Sequence, residues 1–411
     1  MQEQQVADRG RLGRPLRLRS WRDGLVLRIA GRLLGGLRHG RLCLVMPSGR
    51  SAVLGGGKAE ATLILANVAV FRNSLMRGSI GFAESYISGD CETPDLAGVL
   101  RFFLDNKRDL HAAGGGLFRV RGADRAFHRG RANTPGGSRR NIAAHYDLGN
   151  AFYQQWLDAG MTYSSALFEH AGMSLEAAQA AKLARIVAAG SIEAGHDVLE
   201  IGCGWGSLAE VIAAKGARVT AITISPAQKA YAEARMRAAG LADAVAVRLD
   251  DYREVVGQFD RIVSVEMIEA VGEENWARYF ETIRDRLKPG GVALLQAITI
   301  DRRLNDAYRR KADFIQRYIF PGGMLPTEAA MARHATAAGL TLTRDVTFGH
   351  SYVRTLQLWR ERFEAAWPRI ATMMGFDERF RRMWVYYLTY CEVGFDRGSI
   401  DVGLYRIEKP R

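Results

Sequence analysis

The sequence predicts an α/β fold: a doubly wound, mostly parallel, Rossmann-like sheet, with a smaller N-terminal α/β or helical domain before it. Three observations predict it. Short apolar runs alternate with helix-length segments through the second half of the chain, which builds a parallel sheet covered by helices on both faces. A stretch rich in Gly, Arg and Pro, residues 113–140, separates that half from what precedes it. The apolar run Val198-Leu199-Glu200-Ile201 enters Gly202-Cys203-Gly204-Trp205-Gly206, and the helical pattern Ser207–Ala213 follows at once. Strand, glycine turn and helix N-terminus together make a nucleotide cradle, because the ligand can approach the backbone and free N–H groups face it.

Residues 1–40 are basic with Leu and Val interspersed, the pattern of an amphipathic helix on a surface or of a disordered start before a core helix. Residues 42–46, 61–65 and 68–71 read as strands, with a turn at Pro47-Ser48-Gly49. Helical period takes over across 73–112, where Leu96, Val99, Leu100, Phe102, Phe103 and Leu104 recur. The expected organisation is a domain over 1–112, a linker over 113–140 and a catalytic domain over 141–411. In that last domain helices are expected at 148–158 and 174–190, then a strand at 197–201 and a helix ending near Lys215-Gly216. Strands at 218–224, 245–249, 259–265 and 292–300 follow, with helices at 226–239 and 273–287.

Lys and Arg number 57 against 44 Asp and Glu, a net charge of +13. Such an excess suits an anionic partner, nucleic acid or an anionic membrane surface. Ten arginines lie between Arg9 and Arg41, and Arg125, Arg129, Arg131, Arg139 and Arg140 form a second cluster. Cys43, Cys91, Cys203 and Cys391 form no CxxC pair, so a reducing compartment is expected and neither a structural zinc nor any other metal site. No secretory signal is visible and no apolar run reaches the ~18 residues of a membrane span, so a cytoplasmic protein with at most peripheral membrane association is expected.

The strand ends carry the cofactor argument. Glu200, two residues before the first glycine of the turn, suits a ligand bearing a cationic amino group better than a pyrophosphate, which points to S-adenosylmethionine (SAM) rather than NAD. A dinucleotide site would place an acid after the second strand to hold the ribose. The chain has Thr223-Ile224-Ser225-Pro226-Ala227-Gln228 there, a set that can hold ribose hydroxyls without an acid. Asp250 can accept from an adenine amino group, while Asp251 reads equally well as a turn acid.

These blocks resemble the cyclopropane-fatty-acyl-phospholipid synthases. So do His145-Tyr146-Asp147-Leu148-Gly149-Asn150, Tyr163-Ser164-Ser165, Asp251-Tyr252-Arg253, the 259–265 run, Tyr318-Ile319-Phe320-Pro321-Gly322-Gly323 and Tyr352-x-x-Thr355-Leu356-x-x-Trp359-x-x-Arg362-Phe363. The likeness spans about residues 75–395 in the family's order. It implies a class I SAM methyltransferase with a seven-stranded sheet, an acyl-chain-binding insertion over 301–395, and addition of the SAM methyl to a cis double bond of a phospholipid acyl chain. Attack by an alkene leaves a carbocation, so the site must be dry, meet positive charge with ring faces or carboxylates, and remove a proton. Tyr146, Tyr163, Glu269, Tyr318, Phe320 and Tyr352 supply the residue types.

The resemblance also assigns residues. Tyr163, Ser164, Gly202, Gly204, Gly206, Thr223, Gln228, Leu249 and Asp250 match SAM contacts. In the family a bicarbonate ion is the base, and its holders fall here on Ser165, Glu269, Gln296, Ile298 and Tyr352. Two depart from the pattern: Ser165 replaces a Cys and Gln296 a His, and neither can become charged at neutral pH. Glu266 stands where some synthases have Gly, and two carboxylates would repel bicarbonate, so either Glu266 or Glu269 can serve as a direct base. Two products follow from the same alkylation, a cyclopropane or a methyl-branched or methylene chain. The membrane reading accounts for the basic charge, and a homodimer is compatible with it. The rival class, a nucleic-acid methyltransferase or nucleic-acid-binding protein, lacks the Asn/Asp-Pro-Pro-Tyr/Phe tetrapeptide and the Pro-Cys pair that it would need.

Overall fold

A computed structural model describes residues 16–114 and 148–411 and divides the chain into two compact units, Met1–Arg119 and Val120–Arg411. Arg9, Arg11 and Arg14, the 125–140 arginine cluster, all but the first two residues of the expected linker, and His145, Tyr146 and Asp147 lie outside the described residues.

Among the described residues of the first unit, helix α1 (Leu16–Leu34) comes first. Strands β1 (Arg41–Val45), β2 (Ser51–Leu54), β3 (Glu60–Leu65) and β4 (Cys91–Glu92) form a sheet in the order β2-β1-β3-β4, with β1 and β3 parallel. Alternation buries Leu42 and Leu44 of β1 and Ala61, Leu63 and Leu65 of β3. Helices α2 (Ala69–Ile87), α3 (Leu96–Asp105) and α4 (Lys107–Gly114) complete the unit. Residues 68–71 are therefore not a strand. The Asn67 side chain accepts the Ala69 N–H at 2.9 Å and starts α2 there. A four-residue apolar run has too few residues for its period to show.

Among the described residues of the second unit, the one-turn helix α5 (Asn150–Tyr153) comes first and is shorter than the expected 148–158. Asp158 ends the helical path by accepting from the Gly160 and Thr162 N–H groups at 2.8 and 2.9 Å, which draws the chain into a turn. Helix α6 (Leu175–Ala189) follows, capped by the Ser174 hydroxyl. The alternation β5 (Asp197–Ile201), α7 (Ser207–Ala214), β6 (Arg218–Thr223), α8 (Pro226–Ala238), β7 (Val245–Leu249), β8 (Phe259–Val265), α9 (Trp276–Arg286), β9 (Leu287–Ile300) agrees with the sequence reading to within a few residues. The chain continues through α10 (Arg302–Arg310), α11 (Phe314–Tyr318), α12 (Glu328–Ala337), β10 (Thr341–Thr347), α13 (Gly349–Met374), α14 (Glu378–Asp396) and β11 (Ile400–Glu408).

Seven strands lie in the order β10-β11-β9-β8-β5-β6-β7. The five strands from β9 to the β7 edge run parallel and β11 pairs antiparallel with both β9 and β10, the doubly wound, mostly parallel sheet that the sequence predicts. One core lies under the sheet, where Ile201, Ile222, Ile262 and Leu295 meet Tyr279, Phe280 and Ile283 of α9. Residues 301–395 are not a single insertion. Strand β10 is the sheet edge, and Met331 and Ala335 of α12 are part of the core, which leaves α10, α11, α13 and α14 as the added helices. Among the described residues no helix is long and apolar enough to cross a membrane, and no group of acids, histidines and cysteines is arranged for a metal.

Candidate active site

The expected residues sit at the carboxyl ends of β5 to β9, in the 163–165 loop and on α13. The glycine turn is built for a ligand. Gly206 caps α7 in the left-handed region (φ +86°), and a Cβ there would press on Ala232 at 3.1 Å. A Cβ on Gly204 would meet nothing within 4 Å, so that face of the turn is open to a close approach. Glu200 is buried beneath it. The Ala209 N–H in the first turn of α7 donates to its carboxylate, while Oε2 has no partner. Burial pushes this acid up to about 8. An orphaned carboxylate oxygen beside an open glycine turn fits the amino group of SAM.

The remaining expected cofactor residues divide. Thr223 donates its hydroxyl to Gln228 Oε1 at 2.8 Å, and Ser225 caps α8, so β6 ends in a joined polar patch. The Tyr163 and Tyr387 hydroxyls lie 2.9 Å apart. Leu249 is exposed, and Asp250 is ion-paired with Arg248 at 2.5 Å. Asp251 is the turn acid: it caps the Tyr252–Glu254 turn and grips Arg253.

The other constellation gathers around Glu266. Its Oε1 accepts the Ser165 N–H at 2.9 Å and the Gln296 side-chain amide at 2.8 Å, and its Oε2 accepts the Tyr352 hydroxyl at 2.8 Å. Three of the five positions that the resemblance assigns to bicarbonate thus hold a carboxylate of the chain itself. The other two meet each other, since the Ile298 N–H donates to Glu269 Oε1 at 2.5 Å. Bicarbonate does not fit among these side chains as they stand, because Glu266 takes its donors. The backbone supports that placement: Glu266 has φ +48°, with its N–H fixed on the Gln296 carbonyl at 2.8 Å. This left-handed conformation costs a non-glycine residue about 1–2 kcal/mol and is the kind of strain found at functional sites.

The two acids differ electrostatically. Burial raises both, and the Glu266 charge pushes Glu269 further, to about 8. Three hydrogen bonds and the Lys182 charge hold Glu266 down. Glu266 has donors on both carboxylate oxygens, the setting that favours its ionised form, whereas Glu269 has a donor on Oε1 alone. Glu269 Oε2 is buried without a partner, and the Glu269 carbonyl accepts the Met324 N–H at 2.8 Å, which ties the Phe320–Gly323 block to the site. Aromatic rings pack on Tyr163 and Tyr352. Tyr163 lies 5.3 Å from both Tyr153 and Trp359, Tyr153 lies 5.1 Å from Trp205, and Tyr352 lies 6.1 Å from Trp359, centroid to centroid. Phe320 packs on Tyr387, and Tyr318 on Phe314.

Sequence reasoning passed over Gln179 and Lys182. Both are buried on α6; Gln179 donates to the Ser164 carbonyl at 2.9 Å and Lys182 Nζ to the Ser164 hydroxyl at 2.8 Å. A signal was present: they fall inside the apolar stripe Leu175, Ala178, Leu183, Ile186, where a polar residue needs a buried partner.

The family model described as "Mycolic acid cyclopropane synthetase" matches residues 135–404. The chain is 38% identical to the tuberculostearic acid methyltransferase UfaA1 of Mycobacterium tuberculosis, over 91% of this chain and 89% of that protein. It is 37% identical to the cyclopropane-fatty-acyl-phospholipid synthase of Escherichia coli, over 86% and 89%. Among solved structures, the cyclopropane synthase MmaA2 from Mycobacterium tuberculosis superposes with a TM-score of 0.61 at 31% identity, covering 66% of this chain and 98% of that one. The mycolic acid cyclopropane synthase CmaA1, complexed with SAH and CTAB, gives 0.62 at 30% identity with the same coverage.

Proposed function

The chain belongs to the mycolic acid cyclopropane synthetase family, as a SAM-dependent methyltransferase that transfers a methyl or methylene group to unsaturated fatty acyl chains, and we propose that its substrate is a cis-unsaturated phospholipid and its base Glu266. The observation that carries the second half is the Glu266 carboxylate seated on Ser165, Gln296 and Tyr352.

SAM, when bound, supplies an electrophilic methyl to the double bond. Glu200 holds the cofactor's amino group, the 202–206 turn takes its backbone, and Thr223 with Gln228 meets the ribose. Positive charge left on the acyl chain lies against the faces of Tyr163, Trp359 and Tyr352, where burial keeps water away. The proton then passes from carbon to Glu266. Oε1 already takes two N–H donors and Oε2 takes one, so Oε2 retains a lone pair for it. The electrons of the broken C–H bond close a cyclopropane ring. In the second reading a hydride shift precedes proton loss and the chain ends methyl-branched or methylene. The fixed seat of Glu266 favours this, because a tethered base has less reach than a free anion and leaves time for the shift.

Association with an anionic membrane, on its cytoplasmic face, is the third part of the reading. Its support is an exposed stripe on α1: Trp21, Leu25 and Ile29 are 64%, 40% and 39% exposed at one-turn spacing, with the exposed Arg28 and Arg32 beside them. An apolar ridge flanked by arginines suits the interface of an anionic bilayer.

The test is lipid mass spectrometry after incubating enzyme, SAM and cis-unsaturated phospholipid vesicles, with a derivatisation that adds only across a C=C bond. Both products gain the same mass. A product that no longer adds reagent is the cyclopropane, and one that still adds is the methylene or methylated alkene. Glu266→Gln should lower the rate by a factor of about 10²–10⁴, the usual worth of a general base; an unimpaired variant sinks the assignment of Glu266.

A further inference from the structure

We propose that Lys182 is a positioning residue for the reaction: its ammonium locks the Ser164 segment in place and keeps Glu266 as the carboxylate that accepts the proton. The inference rests on Glu266 being the base.

Lys182 is 1% exposed, and Nζ donates to Ser164 Oγ at 2.8 Å. Gln179, on the same face of α6, donates to the Ser164 and Thr162 carbonyls at 2.9 and 3.3 Å. The next residue, Ser165, gives its N–H to Glu266. One helix face therefore grips the segment that carries both an expected cofactor contact and a donor to the base. A buried ammonium persists only among compensating charges. Those acting on Lys182 come from three separate places: Asp158 in the turn before the loop, Glu200 at the end of β5, and Glu266 after β8. Asp158 is committed to its turn, holding the Gly160 and Thr162 N–H groups. Glu200 and Glu266 are the two acids assigned to cofactor and base, so one cation serves both halves of the site.

Ser165, Gln296 and Tyr352 hydrogen-bond Glu266, and Lys182 of α6, Glu269 after β8 and Cys391 of α14 couple to it electrostatically. Of these Lys182 alone carries positive charge. An opposite charge nearby lowers a carboxyl pKa by about 1–3 units, so losing it lets Glu266 hold its proton to higher pH.

The experiment is the pH dependence of kcat for the full chain acting on cis-unsaturated phospholipid vesicles. In Lys182→Met the acid limb should move up by about one unit or more, with the plateau at high pH within about tenfold of the unsubstituted enzyme. Lys182→Arg keeps the charge and should keep the limb in place. A Lys182→Met profile that is merely scaled down, its limb unmoved, overturns the proposal as a purely structural effect would. If Lys182→Met does not fold, Ser164→Ala serves: it removes the Nζ acceptor but leaves the charge, so its limb should stay put while the KM for SAM rises. A displaced limb there contradicts the role given to the charge. An active Glu266→Gln would instead sink the reading of the base, and the two failures are separable.

Discussion

The Tyr352 hydroxyl, brought in from α13, donates to Glu266 Oε2 at 2.8 Å across a separation of 86 residues. Burial and the Glu266 charge raise the phenol well above its usual range, so Tyr352 is a neutral donor at any pH at which the enzyme works.

Tyr352→Phe removes that donor and leaves the ring packed on Phe395 and Trp359. A hydrogen bond to a charged group is worth about 1.5–3 kcal/mol, so the rate at neutral pH should fall by roughly tenfold or more. The loss should shrink as pH rises, because the proton that Glu266 now holds more firmly is drawn off. A pH–rate profile checks both.

Glu269 makes stability fall with pH. Its folded-state pKa of about 8 lies above the ordinary value of 4.5. Below pH 4.5 folded and unfolded chains both carry the proton and nothing is lost; between 4.5 and 8 only the unfolded chain releases it, which favours unfolding. Glu269→Gln mimics the neutral acid and should be the more stable protein at pH 8, on the order of 4 kcal/mol, with the difference largely gone near pH 4.5. Denaturant melts at the two pH values measure this; a difference that does not vary with pH would show that Glu269 ionises normally.

Glu200 ties cofactor affinity to pH. Held neutral by burial until about pH 8, it must release its proton to pair with an amino cation. Binding of S-adenosylhomocysteine, which carries the same amino group, should therefore tighten between pH 6 and 8 and release a proton in calorimetry. Glu200→Gln should bind about tenfold to a hundredfold more weakly with a flatter pH dependence.

The sheet and the cofactor cradle were legible because their signals are local. The strand, Glu200 and three glycines stand within nine residues, and β5 to β9 alternate with their helices in plain periodicity. The sequence also exposed Ser165, Gln296 and Glu266 as departures. It did not disclose that they answer one another, since Ser165 N and Glu266 are 101 residues apart and meet only through β8, β9 and the 163–165 loop. Lys182 was only partly legible. Its place in the apolar stripe of α6 marks it as buried, but the acids that compensate its charge come from three distant places. Residues 68–71 misled because β-branched and apolar residues outvoted the single turn-forming Asn67 before them.

Whether Glu266 itself fills the anion seat is tested by methyl transfer in Glu266→Gly with and without bicarbonate. Glycine suits φ +48° and leaves Ser165, Gln296 and Tyr352 in place. The unsubstituted enzyme should be equally active in carbonate-free and bicarbonate-containing buffer. The variant should be nearly inactive without bicarbonate and regain activity as bicarbonate is added. An unsubstituted enzyme that loses activity when carbonate is removed, or a Glu266→Gly variant fully active in its absence, would contradict that role for Glu266.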